Sequence, residues 1–317
     1  MSDAVTALEG ALAGLVDVVA GVSPGWLVLG VALHLANQVM RGRAWYAVVQ
    51  TACTDVEAPR RRDVIATWVA GAGAGGVVSA RGGDAVRVLL LARRMKGKGN
   101  GALLTGTIVA ENAGETALGA ATLALALALG VGPSLGPSTT TVLYVTAGAL
   151  ALAGVVLIGR RVPRMRNFLS RVGCGCSSLR SPRAYARDVL PWQLVSRGLR
   201  FASLACFLAA FGLPATAGAI LLVMFAQCGG RLVPFSPASV GAGAAIVAAC
   251  FEPITGTAVP PAQLAAFFVG TSTVLTVVGT VLSLAICATQ ASANAGPRLA
   301  TRVGRLMRIR AAMAPRP

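Results

Sequence analysis

Charge is what this chain has least of. Charged residues make up 12% of its 317 positions, against about 25% in an average soluble domain. It has one histidine, His34, and its only lysines are Lys96 and Lys98. Eleven acids leave little for an aqueous catalytic site, and no Walker loop or credible Ser/His/Asp set is present. The chain is therefore not expected to be an enzyme, nor to hold a cofactor. A zinc site at Cys174-Gly175-Cys176 would need further ligands that the neighbourhood does not supply, so no metal is expected. The first twenty residues lack a basic stretch and contain Glu9 and Asp17, which argues against a cleavable signal peptide. The period-two alternation of a membrane β-barrel is missing as well.

What is present is apolar. Hydrophobic residues are 55% of the chain and its mean hydropathy is +0.72. The runs are long and continuous, which predicts an all-α, polytopic transmembrane helical bundle of about six to nine apolar segments. The net charge of +17 at first suggests nucleic acid. It lies in the connections between apolar runs, however, which is the positive-inside pattern of a multi-pass cell (inner) membrane protein, and no nucleic-acid partner is expected. Of the seven cysteines, Cys206, Cys228, Cys250 and Cys287 fall in apolar runs and read as small buried hydrophobes.

Five stretches follow along the chain. Residues 1–22 read as an amphipathic interfacial helix, with Asp3, Glu9 and Asp17 interrupting its apolar face. Residues 23–160 form a first membrane half. Its opening helix is expected over 26–40 and to end in an interfacial anchor, Arg41-Gly42-Arg43-Ala44-Trp45-Tyr46. Residues 64–95 are expected as a re-entrant hairpin or two short half-helices, because neither arm reaches the roughly 20 residues of a full span. A long helix over 102–131, an uncharged outer loop at 132–137 and a return at 139–159 complete this half. Residues 161–189, rich in Arg and free of acid before Asp188, read as a basic cytoplasmic loop. The second half, 190–290, contains a helix at 190–211, a tight turn at Gly212-Leu213-Pro214 leading to a helix that reaches Gly230-Arg231, a short arm ending near Glu252-Pro253, and a long helix at 263–288. Residues 291–317 read as a basic cytoplasmic tail.

Each half holds one interrupted apolar segment, so the layout carries a weak two-half repeat. The first break is Arg81-Gly82-Gly83-Asp84, the second Pro234-Phe235-Ser236-Pro237. Charged or broken backbone at membrane depth is costly unless it faces protein or water, so both breaks mark candidate sites. Gly82 and Gly83 would supply unusual backbone angles, Asp84 would cap the next half-helix, and Arg81 and Arg87 would hold an anion. Pro234 and Pro237 free backbone carbonyls to line a cavity. Glu111 and Glu115 share one face of the long helix near mid-membrane and need partners, with Arg81, Arg87, Arg41 and Arg43 the nearest candidates. Gly71-Ala72-Gly73-Ala74-Gly75-Gly76 matches a dinucleotide-binding pattern but sits in an apolar run, so close helix packing is the better reading.

Arg81-Gly82-Gly83-Asp84-Ala85-Val86-Arg87 resembles the central R-x-G-acid-x-x-R stretch of the lysylphosphatidylglycerol synthase transmembrane-region, or flippase-like, family. Arg41-Gly42-Arg43-Ala44-Trp45, Val109-Ala110-Glu111-Asn112-Ala113-Gly114-Glu115 and Ala210-Phe211-Gly212-Leu213-Pro214 are similar to further segments of it. The likeness runs over roughly residues 5–290. Ser79 stands where the family has Pro, Asn112 where it has Arg, and Glu115 where it has Asp. The resemblance implies binding and translocation of an anionic phospholipid or a lipid-linked sugar. The substrate-binding residues would be Arg81, Gly83, Asp84, Arg87, Glu111, Glu115, Pro234 and Pro237. Two alternatives remain at this point: a membrane scaffold that recruits a lipid- or glycan-modifying enzyme through its basic segments, and a proton-coupled permease.

Overall fold

The computed structural model describes residues 21–53, 59–77, 80–95, 100–128, 163–230 and 238–312. Among these the chain is all-α, with ten helices and no strand. The expected interfacial helix, the outer loop at 132–137 and the second break at 234–237 lie outside the described residues.

α1 (Pro24–Ala52) begins with proline, which is pre-set for a first helical turn and has no amide hydrogen to leave unbonded. It does not stop near residue 40 as expected but continues to Ala52, 29 residues in all. Arg41, Gly42 and Arg43 carry no helix-breaking signal, and the stretch that follows packs inside the bundle, where Ala44, Trp45 and Val48 are fully buried. The segment read as an interfacial anchor is therefore the middle of a core helix.

α2 (Arg61–Val77) and α3 (Ala80–Ala92) are the two expected half-helices, of 17 and 13 residues. They fold back on one another, and an ion pair between Asp63 and Arg94 ties their open ends. The break, however, is not at 81–84. Those residues are helical, and Gly82 and Gly83 do not use the left-handed backbone region, which among described glycines belongs to Gly212 and Gly256. What Gly83 contributes is its missing side chain. A Cβ there would lie 3.0 Å from the Gly75 Cα and closer still to the Gly71 carbonyl, so the two arms touch backbone to backbone.

α4 (Asn100–Ala128) is the long helix, and α5 (Pro163–Gly175) packs on it at Gly106. A Cβ on Gly106 would come within 2.8 Å of the Gly175 Cα. A 3-10 turn (Ser177–Arg180) and α6 (Pro182–Asp188) follow. The segment expected as a basic loop is thus helical and docked, because Gly175 and Val172 give it a flat contact surface. Cys176 sits against the Gly106 carbonyl at 3.3 Å.

α7 (Leu190–Ala210) lies along α1, where Ser203 donates to the Gly30 carbonyl at 2.8 Å. It closes at Gly212, whose φ of 66° lets Leu213 N–H reach back to Leu208 O at 2.9 Å. α8 (Ala217–Gly230) and α9 (Ala238–Thr255) form a second pair of short packed helices; α9 ends two residues past Pro253, near the expected place. α10 (Pro261–Ala312) is a single 52-residue helix that runs on through residues 291–312.

In a lipid surrounding, burying an apolar side chain against another gains little, since lipid is as apolar as leucine. Close approach through small residues carries the packing instead. α2 crosses α10 with Gly73 against Gly279, and Ser283 donates to the Ala70 carbonyl at 2.7 Å beside that crossing. The glycine run read as a packing surface serves as one on both sides, Gly71 towards α3 and Gly73 towards α10. Three apolar clusters fill the rest, one around Phe207, Phe211, Phe251 and Phe267, a second around Trp45, Trp68, Leu91 and Leu104, and a small third around Ala44, Val48, Ala110 and Val189. The outward faces are apolar too: Trp26, Val28, Val277, Val281 and Leu284 are all at least half exposed. Among the described residues one stretch, Pro261–Thr289, is long and apolar enough to cross a membrane by length and composition.

Candidate functional site

The polar groups gather where three helix faces meet. On α1, His34, Gln38, Arg41 and Trp45 follow a spacing of four, three and four, hence one stripe. On α4 the stripe is Thr107, Glu111 and Glu115. On α7 it is Gln193, Arg197 and Arg200.

Glu111 is fully buried and accepts from Arg41 Nη2 at 3.0 Å. Glu115 lies 4.0 Å from the same nitrogen and takes a second cation, Arg197, at 3.2 Å. Arg197 also bonds the Glu115 backbone carbonyl at 3.2 Å and the Thr122 hydroxyl at 3.3 Å. Gln193 donates to the Glu111 carbonyl at 3.3 Å. Of the expected partners for the two glutamates, the structure selects Arg41 and adds Arg197.

Trp68 joins this cluster to the hairpin. Its ring has the Arg87 guanidinium 3.8 Å from its centre and the Arg41 guanidinium at 5.0 Å. Its indole nitrogen donates to Gln38 at 3.3 Å, and Trp45 packs against it with ring centres 5.6 Å apart. Trp45 in turn donates to Thr107 at 3.0 Å. Arg87 reaches over because Gly71 leaves room: a Cβ on Gly71 would overlap the Arg87 side chain. Asp84 does not cap α3. It is the fifth residue of that helix and bonds Arg87 one turn on, at 2.7 Å.

Three carboxylates (Asp84, Glu111, Glu115) and three guanidiniums (Arg41, Arg87, Arg197) thus share one interior. It is not fully satisfied. Glu111 Oε2, Glu115 Oε1 and Arg41 Nε are buried with no hydrogen-bond partner among the described residues. Buried polar atoms are nearly always bonded, so these are places where a ligand or water completes the set. Of the sequence-predicted site residues, Asp84, Arg87, Glu111 and Glu115 meet here. Gly83 is a packing residue next to them. The side chain of Arg81 and all of Pro234 and Pro237 lie outside the described residues. The sequence reading missed Trp68, Gln193 and Arg197. The i, i+4, i+7 spacing of Gln193, Arg197 and Arg200 in an otherwise apolar helix was the signal that could have found them.

Tyr185 closes the cluster at the end of the bundle where α5 and α6 dock. Its hydroxyl lies within hydrogen-bond reach of Gln193, which donates to it at 3.1 Å. Burial pushes this hydroxyl up to about 12; Glu111 and Glu115 add to the shift and the Gln193 hydrogen bond opposes it. A raised folded-state value means the stabilisation is fully present below the unfolded value of about 10 and is lost as pH rises through 12. Tyr185→Phe is therefore expected to lose less stability than the native chain between pH 10 and 12, read from thermal unfolding of the purified protein against pH.

No curated protein and no solved structure matches the chain. The profile of the family described as "Lysylphosphatidylglycerol synthase TM region" matches residues 10–283, which takes in every described element from α1 to the apolar stretch of α10. With its R-x-G-acid-x-x-R stretch on α3 and its glutamate pair on α4, the chain belongs to that lysylphosphatidylglycerol synthase transmembrane-region family.

Proposed function

We propose that this protein is a multi-pass inner-membrane flippase-like protein that binds an anionic phospholipid or a lipid-linked sugar and carries its headgroup past the Arg41–Glu111–Glu115–Arg197 cluster. The observation that carries the reading is the interior set of three carboxylates and three guanidiniums around the fully buried Glu111, with acceptor and donor atoms left open. Ionised groups inside an apolar bundle are expensive, and a family of lipid-related membrane proteins gives them a purpose. Guanidiniums suit a phosphate, and the open carboxylate oxygens suit hydroxyls of a glycerol or sugar headgroup. Arg87 on the short hairpin arm and Arg197 on the second half would hand the phosphate between them as the headgroup moves. The α2–α3 and α8–α9 pairs, both short and both followed by a longer helix or connection, fit the two-half layout of transporters.

The test is translocation of a fluorescent phospholipid in proteoliposomes, read by quenching from the outer leaflet. The native chain is expected to move it faster than protein-free vesicles. Arg87→Gln and Glu115→Gln are each expected to slow it about tenfold, the worth of one charge-assisted hydrogen bond, with rates compared at a temperature where each variant is folded. Native rates in both variants would sink the roles given to these residues.

A further inference from the structure

Glu111 is the carboxylate of the interior set with least to fall back on. Its side chain is fully buried, Arg41 supplies its 3.0 Å ion pair, and its second oxygen, Oε2, has no hydrogen-bond partner among the described residues. The other two acids are better placed. Glu115 has Arg197 at 3.2 Å, and Asp84, a third exposed, has Arg87 at 2.7 Å. Glu115 also lies 4.0 Å from the Arg41 nitrogen that Glu111 uses, so two acids draw on one guanidinium. The ionisable groups around Glu111 come from five helices. They are Arg41 on α1, Asp84 and Arg87 on α3 across the Trp68 ring, Glu115 on α4 itself, Tyr185 on α6 and Arg197 on α7. The Tyr185 hydroxyl occupies the space that Gly114 leaves on the turn between the two glutamates.

Arg41 Nε is buried and open, so the guanidinium has a donor to offer a phosphate without letting go of Glu111. A phosphate seated there sets a second negative charge on the one cation that Glu111 relies on. Burial and a neighbouring like charge both favour the neutral form of a carboxyl group, and an ionised group short of a partner in an apolar interior neutralises instead. Oε2 has free lone pairs to take the proton, which turns it from an acceptor into a donor towards the phosphate. When the headgroup leaves, Arg41 again serves Glu111 alone and the proton returns to water. We infer that Glu111 takes up one proton with each anionic headgroup and gives it up on release, so that protons drive the lipid movement and the pair crosses without net charge. The inference rests on the flippase-like reading above and names its energy source. Because the proton binds with the headgroup, affinity rises as pH falls.

The experiment measures the affinity of the purified full chain for short-chain phosphatidylglycerol against pH, and its movement in proteoliposomes under a pH gradient. A phosphodiester keeps its charge near neutrality, so a slope belongs to the protein. From about pH 8 to 6 the native chain is expected to bind up to about tenfold tighter per unit, the limit for one proton per headgroup. Glu111→Gln, fixed in the neutral form, is expected to bind equally across that range; Glu115→Gln is expected to bind more weakly and keep the slope. With the membrane potential held at zero, the native chain is expected to gather fluorescent phosphatidylglycerol in the leaflet facing the alkaline side, while protein-free vesicles leave it in place over the same minutes. Binding that ignores pH in the native chain, or a slope that survives in Glu111→Gln, overturns the proton's place on Glu111. A slope lost only in Glu115→Gln assigns the proton to Glu115 and overturns it too. Movement that ignores the gradient overturns the coupling and leaves the flippase-like reading standing; no binding and no movement at any pH sinks both. Should Glu111→Gln fail to fold, the native chain's slope and its response to the gradient still decide.

Discussion

Arg41→Met is expected to be the most destabilising single change in the polar interior, at about 3–5 kcal/mol. Methionine fills much of the space and is at home in an apolar bundle, so lost packing is a minor part of that figure. The cost comes from what is left behind. Glu111 is fully buried, and Arg41 supplies its 3.0 Å hydrogen bond and its only ion pair among the described residues. Glu115 keeps Arg197 at 3.2 Å, so it suffers less. The Arg41→Met, Glu111→Gln double variant removes the orphaned charge and is expected to recover roughly half of the loss. The measurement is a double-mutant cycle by thermal or denaturant unfolding in one detergent. Costs that simply add would mean that Glu111 does not depend on Arg41, and the buried pair would lose its place at the centre of the site.

Gly73→Ala is expected to cost more than the roughly 1–3 kcal/mol of ordinary overpacking. The added methyl would meet the Gly279 backbone carbonyl, with the Ser283 hydroxyl beside it. A side chain in the way can turn to another rotamer, whereas a helix backbone cannot. α2 and α10 would have to separate, taking with them the 2.7 Å bond from Ser283 to the Ala70 carbonyl. Gly198→Ala is the matched control: a Cβ there meets nothing within 4 Å, and alanine in mid-helix is expected to stabilise by up to about 1 kcal/mol. Unfolding temperatures of the two variants against the native chain check the contrast. A Gly73→Ala protein as stable as Gly198→Ala would mean that the α2–α10 crossing is not close.

Several features were legible before the structure. Few charges and long apolar runs sufficed for an all-α protein, and the shortness of 64–80 and 85–95 predicted a re-entrant hairpin or two half-helices. The motif around Arg81–Arg87 and the Glu111, Glu115 pair pointed to the family. The glycine run at 71–76 read correctly as a packing surface, because glycine repeated in an apolar helix has few other uses. The position of the first break was misread. Gly82 and Gly83 were given a conformational role, but inside α3 they keep helical angles and Gly83 serves contact with Gly71. Arg41 and Trp45 were placed at a helix end because basic and aromatic residues usually mark an interface, and Trp45 is instead fully buried.

The sequence by itself determined how much of each helix is apolar, which residues repeat on one face and how few ions the interior must hold, since these follow from composition and a period of 3.6. Which ion meets which was decided only in three dimensions. Arg41 and Glu111 are 70 positions apart, and Arg197 and Glu115 are 82. Their pairing depends on where α1, α4 and α7 touch, which Gly30 and Ser203 set by close contact at the α1–α7 crossing. A helix stripe states that a charge faces inward; only the packing of neighbouring helices, set by the sizes of small residues far along the chain, states what it faces.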